Sequence, residues 1–590
     1  MVNLKAKPYN LSNEDIKWVE STIQNMSDEE KVGQLFFQLT AGIDEAYLKN
    51  LVEKYHLGGC RYNNMPAKAV RMQNVILQNN SKIPLFIACN TEAGGNGACS
   101  DGTFIGSGIK IGATQNEEYA KLLGKYANEE AHAIGCNMAF APVCDIHYNW
   151  ENTEVVARAF GNDVQRVASM SKAYMQGAHT IDGFACTAKH FPGNGQDFRD
   201  AHISNNVNSF NEEEWMATYG EVYKTLIDNG LDAIMGGHIL MPNYMRDVNP
   251  DIKDDEMLPA TLCPEIMTGL LRDKLGFNGM VVTDASHMVA MTNRMTRKEM
   301  LPASINAGCD MFLFFNDPDE DFATMLEAYQ TGKISEERMN EALTRILGLK
   351  ASMGLNKKSK AELVPQCDLG AIIGKPEYKE LEKRISQDAI TLVKYKDEDV
   401  LPLTPEKYKR IMIVYVKGPA GPMDALVQMA MGGGANKKNP AEDLRDRLIE
   451  QGFDAFIYES PLEKIKKQIA AGEKPSLNIY FAGKNAIEDF KSQQDLVITL
   501  CDVANGRPAF GLSKGGGEIP WYVFELPVVA ISVNAPTMLA DIPMVRTYIN
   551  AYDSKASTLS ALVDNLTNGK DAFKGKDPID SFCGLWDAKI

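Results

Sequence analysis

The residues FACTAKHFPGNGQDFRDAH (184–202) join a β-branched and aromatic run to a cationic pair, Lys189-His190, then a Pro192-Gly193 break, then Asp200 two residues before His202. An aspartate beside a histidine can orient the ring and raise the basicity of its free nitrogen, as a general acid/base near neutral pH requires. Taken alone, Asp200-Ala201-His202 reads more readily as a solvated loop pair, since D-x-H is common by chance. A second chemical position is Asp284, which ends the apolar run in VVTDASHM (281–288). A carboxylate there suits an active site at a barrel mouth, or the N-cap of a helix starting near 286. Lys189 and His190 have a rival reading as strand-end residues that satisfy local carbonyls. Arg158, in VVARAFGND, is equally a clamp on Asp145 or Asp163.

Side chains of this kind need a rigid frame. Short apolar runs at 35–40, 58–62, 84–90, 138–146, 184–190, 233–239, 279–285 and 310–315 alternate with amphipathic stretches such as 115–134 and 211–229. Ser27-Asp28-Glu29-Glu30 is a capping box opening one helix. Eight β/α units in the first 354 residues predict a (β/α)8 TIM-like barrel, with a doubly wound sheet as the rival. Residues 355–385 are charged and irregular and predict a linker and bridging helix. Runs at 410–416, 453–458, 495–501 and 527–533, with a helix over 440–451, predict a smaller parallel α/β sandwich domain across 386–590.

With 590 residues, 44% apolar and 24% charged, the chain has ordinary globular composition and more than one core. A net charge of −17 argues against nucleic acid as a partner. No run has the length of a membrane span, and the first residues lack a signal-peptide core, so no membrane partner and a cytoplasmic location are expected. Eleven scattered cysteines suggest buried, reduced thiols rather than a disulfide framework. All eight histidines fall at or before His287, which points proton-transfer chemistry to the first half. Neither a metal motif nor a cofactor motif is present. The Gly-rich segments 431–440 and 513–521 match no phosphate-binding pattern and read as long loops.

Seven motifs in order resemble glycoside hydrolase family 3, in particular its β-N-acetylglucosaminidase branch: MSDEEKVGQL (26–35), PLFIACNTEAGG (84–95), FAPVCDI (140–146), ARAFGND (157–163), KHFPGNG (189–195), the segment 258–288, and the tail 548–579. The resemblance implies Asp284 as a nucleophile forming a covalent glycosyl-enzyme, and His202, paired with Asp200, as acid/base. It also implies Asn90, Arg158, Lys189, His190 and His238 as substrate-binding residues. Three departures accompany it. Asn90 stands where the family usually has Asp, Ala93 where it has Gly, and Asn194 and Gln196 interrupt a KHFPGHGD pattern.

The expected activity is a retaining, exo-acting β-N-acetylhexosaminidase on small glycosides or oligosaccharides, with a homodimer as an open possibility. Alternatives are a β-glucosidase using Glu518, in GGGEIPW, as its acid/base; a phosphorylase, because imidazole does not repel phosphate as a carboxylate does; and a sugar-binding sensor on a degenerate barrel.

Overall fold

The computed structural model describes residues 2–397, 399–418, 439–459, 461–474, 487–503 and 519–590. Contacts divide it into two units, residues 1–108 with 116–381, and residues 109–115 with 382–590.

The first unit is a closed barrel of eight parallel strands. They are Phe36–Thr40, Gly59–Tyr62, Phe86–Cys89, Met138–Ala139, Ala185–Phe191, Ala233–Gly236, Met280–Ala285 and Met311–Leu313. The doubly wound alternative is excluded because the first strand pairs with the eighth, Phe36 opposite Phe312, and closes the cylinder. Each strand falls on a run marked by sequence, since a strand wrapped by helices is apolar on both faces. The capping box at Ser27 is formed, its side chain accepting from the Glu30 N–H. The expected helix over 211–229 spans Glu212–Asp228 but carries a π segment at Met216–Gly220.

The N-terminal end of the barrel strands contains a charged cluster. Asp310, fully buried, accepts from Arg272 Nη2 at 2.8 Å, Arg338 Nη2 at 2.7 Å, Arg345 Nη1 at 3.2 Å and the Val281 N–H at 2.9 Å. Burial opposes its ionisation, but the three guanidiniums outweigh burial and hold its carboxyl below the ordinary aspartate range. Asp310→Ala would leave the buried Arg272 without its carboxylate and Arg338 and Arg345 with only Glu341, 3.6 and 3.9 Å away, and we expect about 3–5 kcal/mol of lost stability by denaturant unfolding at neutral pH. Because the folded pKa is depressed, this contribution is present above the unfolded-state value of about 4 and fades as pH falls below it, so the wild-type and variant curves should converge in acid.

Of the linker and bridging helix expected over 355–385, a helix spans Pro376–Ala389, and residues 355–381 fall in the barrel unit, where Arg71 donates to the carbonyls of Cys367 and Pro365. The second unit holds one six-stranded sheet. The four expected strands appear as Arg410–Lys417, Asp454–Ile457, Leu496–Asp502 and Val528–Ser532, and two more lie at Thr391–Tyr395 and Thr547–Asn550. Thr391–Tyr395 runs antiparallel along one edge, so the sheet is mixed. Separate apolar layers cover its two faces, one built on Leu444, Leu448, Leu559 and Leu562, the other on Phe490, Met538, Leu539 and Val545. Residues 109–115 belong to this unit: Lys110 Nζ is fully buried and donates to Asp553 at 2.6 Å, Thr558 at 2.7 Å and Ser386 at 2.9 Å. Glu518 and most of both Gly-rich segments lie outside the described residues.

All eleven cysteines are free, and ten are buried. Among the described residues, no helix is long and apolar enough to cross a membrane.

Candidate active site

The C-terminal ends of the barrel strands gather the expected residues into one mouth. Glu92, just past the third strand, is its organising anion. Arg158 grips it with two parallel bonds, Nε to Oε2 at 2.9 Å and Nη2 to Oε1 at 3.0 Å, and Lys189 Nζ lies 2.5 Å from Oε1. Burial alone would push the Glu92 carboxyl up, yet the two cations hold it well below its ordinary value. Arg158 is correspondingly raised, while Lys189 is lowered, because its burial and the adjacent guanidinium outweigh Glu92. The loop carrying Glu92 turns at Gly94, whose φ of 143° places any added Cβ 2.1 Å from the Thr103 carbonyl oxygen. Arg158 therefore clamps Glu92 rather than Asp145 or Asp163. Asp163 instead caps the helix Val164–Ala178.

Asp145 has a different task. Fully buried, it accepts from His190 Nδ1 at 2.7 Å and from the backbone N–H groups of His190 and Asn194. This turns His190 Nε2 outward, 3.4 Å from Arg158 Nη2 and 3.9 Å from Asp284 Oδ2.

Asp284 lies at the end of the seventh strand, with Oδ1 accepting the Ala285 N–H at 2.7 Å. The next helix starts only at Val289 with Met288 as its cap residue, so the N-cap reading fails. Burial raises the carboxyl's pKa, but the His190 and His238 imidazoles, the Ala285 N–H and Lys189 bring it below the ordinary aspartate value. His238 uses both ring nitrogens within the protein: Nδ1 meets Thr261 Oγ1 at 2.7 Å and Nε2 donates to the Ala285 carbonyl at 3.2 Å. It braces the strand end behind Asp284 instead of offering a free nitrogen. Arg297 fixes the following residue, donating to Ser286 Oγ at 2.8 Å while paired with Asp321.

His202 sits on the loop after the fifth strand. Its Nδ1 lies 2.7 Å from Asp200 Oδ1, which also accepts the His202 N–H at 2.8 Å. That hydrogen bond is the main cause raising the imidazole's pKa, opposed by partial burial and helped by Asp200, Glu154 and Asp284. The ring is 53% exposed, against 17% for the Asp284 side chain. Two backbone bonds dock this loop on the segment after Asp284, from Val289 N–H to the His202 carbonyl at 3.3 Å and from Ala290 N–H to the Ala201 carbonyl at 3.1 Å. Glu154 lies beneath it, accepting from Asn194 Nδ2 at 2.8 Å and the Ala201 N–H at 3.3 Å, with Oε1 3.9 Å from His202 Nδ1. Burial raises the Glu154 pKa.

Sequence reasoning passed over Glu92 and Glu154, though Glu92 stands inside the quoted NTEAGG motif. Glu154, Asp200 and His202 place ligand atoms within 4.8 Å of one another, as do His179, Cys186 and Asp232. Both sets are already engaged in hydrogen bonds, and burial raises the Cys186 thiol well above its ordinary value, away from the thiolate a metal needs.

Residues 27–349 match the family model for the glycosyl hydrolase family 3 N-terminal domain. The chain belongs to glycosyl hydrolase family 3. A Cellulomonas fimi relative named beta-N-acetylglucosaminidase/beta-glucosidase is 35% identical over 599 residues, covering all of both chains. A solved structure named beta-glucoside phosphorylase BglX is 36% identical, with a TM-score of 0.87 and 99% of each chain covered. A β-N-acetylglucosaminidase from Paenibacillus sp. str. FPU-7 shares the fold, with a TM-score of 0.76 at 24% identity over 95% of this chain and 100% of that one.

Proposed function

We propose that this family 3 glycosidase is a retaining, exo-acting enzyme that removes terminal β-linked N-acetylglucosamine from small glycosides. What supports it is a carboxylate kept ionised at the barrel mouth and bordered by a docked loop that carries an aspartate-held imidazole. Asp284 attacks the anomeric carbon, the glycosidic C–O bond breaks, and His202 Nε2, the nitrogen turned away from Asp200, protonates the departing oxygen. Water then attacks the same carbon, gives a proton to Nε2, and the ester to Asp284 breaks. The Arg158–Glu92–Lys189 triangle and His190 hold the glycone hydroxyls. Fluorinated aryl glycosides should trap a sugar ester on the peptide carrying Asp284, read by mass spectrometry. An ester on any other residue would refute the assignment.

A second reading replaces water with phosphate. In favour are the imidazole acid/base, uncharged in the state that receives the incoming nucleophile, and the full-length likeness to a phosphorylase. Product analysis with and without inorganic phosphate separates the two, sugar 1-phosphate marking phosphorolysis.

Glu154 gives a further expectation. Glu154→Ala frees the Ala201 N–H and the Asn194 amide and should cost roughly tenfold in kcat. Glu154→Gln restores acceptors and most of the rate. Having lost a negative charge that raises the His202 pKa, it should shift the alkaline limb of the pH–rate profile to lower pH.

A further inference from the structure

Arg61 lies on the inner face of the barrel near its mouth, and its side chain has no partner among the described residues. The rings of Phe37 and Phe140 meet at 5.6 Å. Phe37 is on the first strand and Phe140 directly follows the fourth, and these strands are not neighbours, so the contact crosses the interior. Side chains alternate along a strand, so Leu39, Arg61 and Ala88 share that face one step nearer the mouth. Leu39 and Ala88 flank Arg61 in register and offer it no side-chain acceptor. Among the described residues, the Arg61 side chain makes no hydrogen bond or ion pair. Burial lowers its pKa, while Glu92 and Asp284 lie near enough to oppose that fall. Asn90 follows two residues after Ala88, and its side chain also makes no hydrogen bond among the described residues.

A half-buried guanidinium with five donors unused by the protein is open to a ligand that supplies acceptors. Strand two is three strands around the barrel from strand seven, which carries Asp284. We infer that Arg61, on the strand beside the one that leads to Asn90, is a glycone-binding residue that donates hydrogen bonds to the sugar's hydroxyls remote from the anomeric carbon, at C4 or C6. This rests on the glycosidase reading above. It adds a specificity determinant on strand two to the Arg158–Glu92–Lys189 triangle.

Arg61→Met keeps the stem and removes the donors. With parent, 4-deoxy and 6-deoxy aryl β-glycosides, the wild type should lose roughly 10- to 100-fold in kcat/KM on at least one deoxy substrate. Arg61→Met should lose a similar factor on the parent, mainly through KM, and become indifferent to that same deoxygenation. Arg61→Lys should recover part of the loss, and the unfolding midpoints of all three proteins should agree. A variant that discriminates the deoxy sugars as the wild type does, or keeps its KM, overturns the inference. So does a variant that loses only its use of inorganic phosphate, since Arg61 would then hold the acceptor. If the wild type turns over none of the parent glycosides, the glycosidase reading itself falls and takes this inference with it.

Discussion

Asp284→Asn is expected to reduce kcat/KM on an aryl β-N-acetylglucosaminide by roughly 10,000-fold or more, with little change in folding. An amide nitrogen or oxygen cannot form and release a glycosyl ester as a carboxylate does, while the neighbours at this position tolerate the swap in shape. The Ala285 N–H can still donate to the amide oxygen, and His238 still braces the strand through the Ala285 carbonyl. The loss should therefore appear in the chemical step, and a competitive sugar should bind nearly as before. Turnover within tenfold of wild type would remove Asp284 from the mechanism.

His202→Ala is expected to act selectively. With a leaving group that needs no proton, formation of the glycosyl-enzyme should hardly change. With an alkyl aglycone the loss should reach roughly 100- to 10,000-fold. The pH dependence carries a sign that can be checked. His202 must be protonated to act as acid, and its pKa is raised above 6.5 chiefly by Asp200, so wild-type activity should persist above that pH. Asp200→Asn removes both the charge and the acceptor that orients Nδ1, and should move the alkaline limb to lower pH. Asp284, held below 3.8, must be ionised, so the acid limb should lie in the carboxylate range or below. Equal losses on good and poor leaving groups would deny His202 the role of acid.

The barrel could be read from sequence because each buried parallel strand leaves an uninterrupted apolar run, as VVT before Asp284 and FACTA before Lys189 do. The edge strand Thr391–Tyr395 was not legible. Its antiparallel pairing and half-exposed pattern depend on a partner over 150 residues away. Among site residues, Asp200 and His202 declare themselves because they are neighbours in sequence. Glu92 does not, because its meaning lies in two cations brought from positions 158 and 189 by separate strands and loops. Glu154 was hidden for the same reason. The Asn194 departure from the family pattern also becomes intelligible only in three dimensions. Its amide donates to Glu154 and its carbonyl oxygen accepts from Asn152 and Asn206, tying together the segments below the His202 loop.

The excursion at 109–115 bears on how this protein can be divided. The polypeptide leaves the barrel, gives seven residues to the smaller unit, and returns before it has made half its strands. Truncation at Leu381 would therefore not liberate a self-sufficient barrel. It would strand Lys110 without Asp553, Ser386 or Thr558, and would leave the Ala113 carbonyl without the Lys576 N–H that bonds it at 2.9 Å. Any descendant that discarded its C-terminal third would first have to rewrite this short stretch near its beginning.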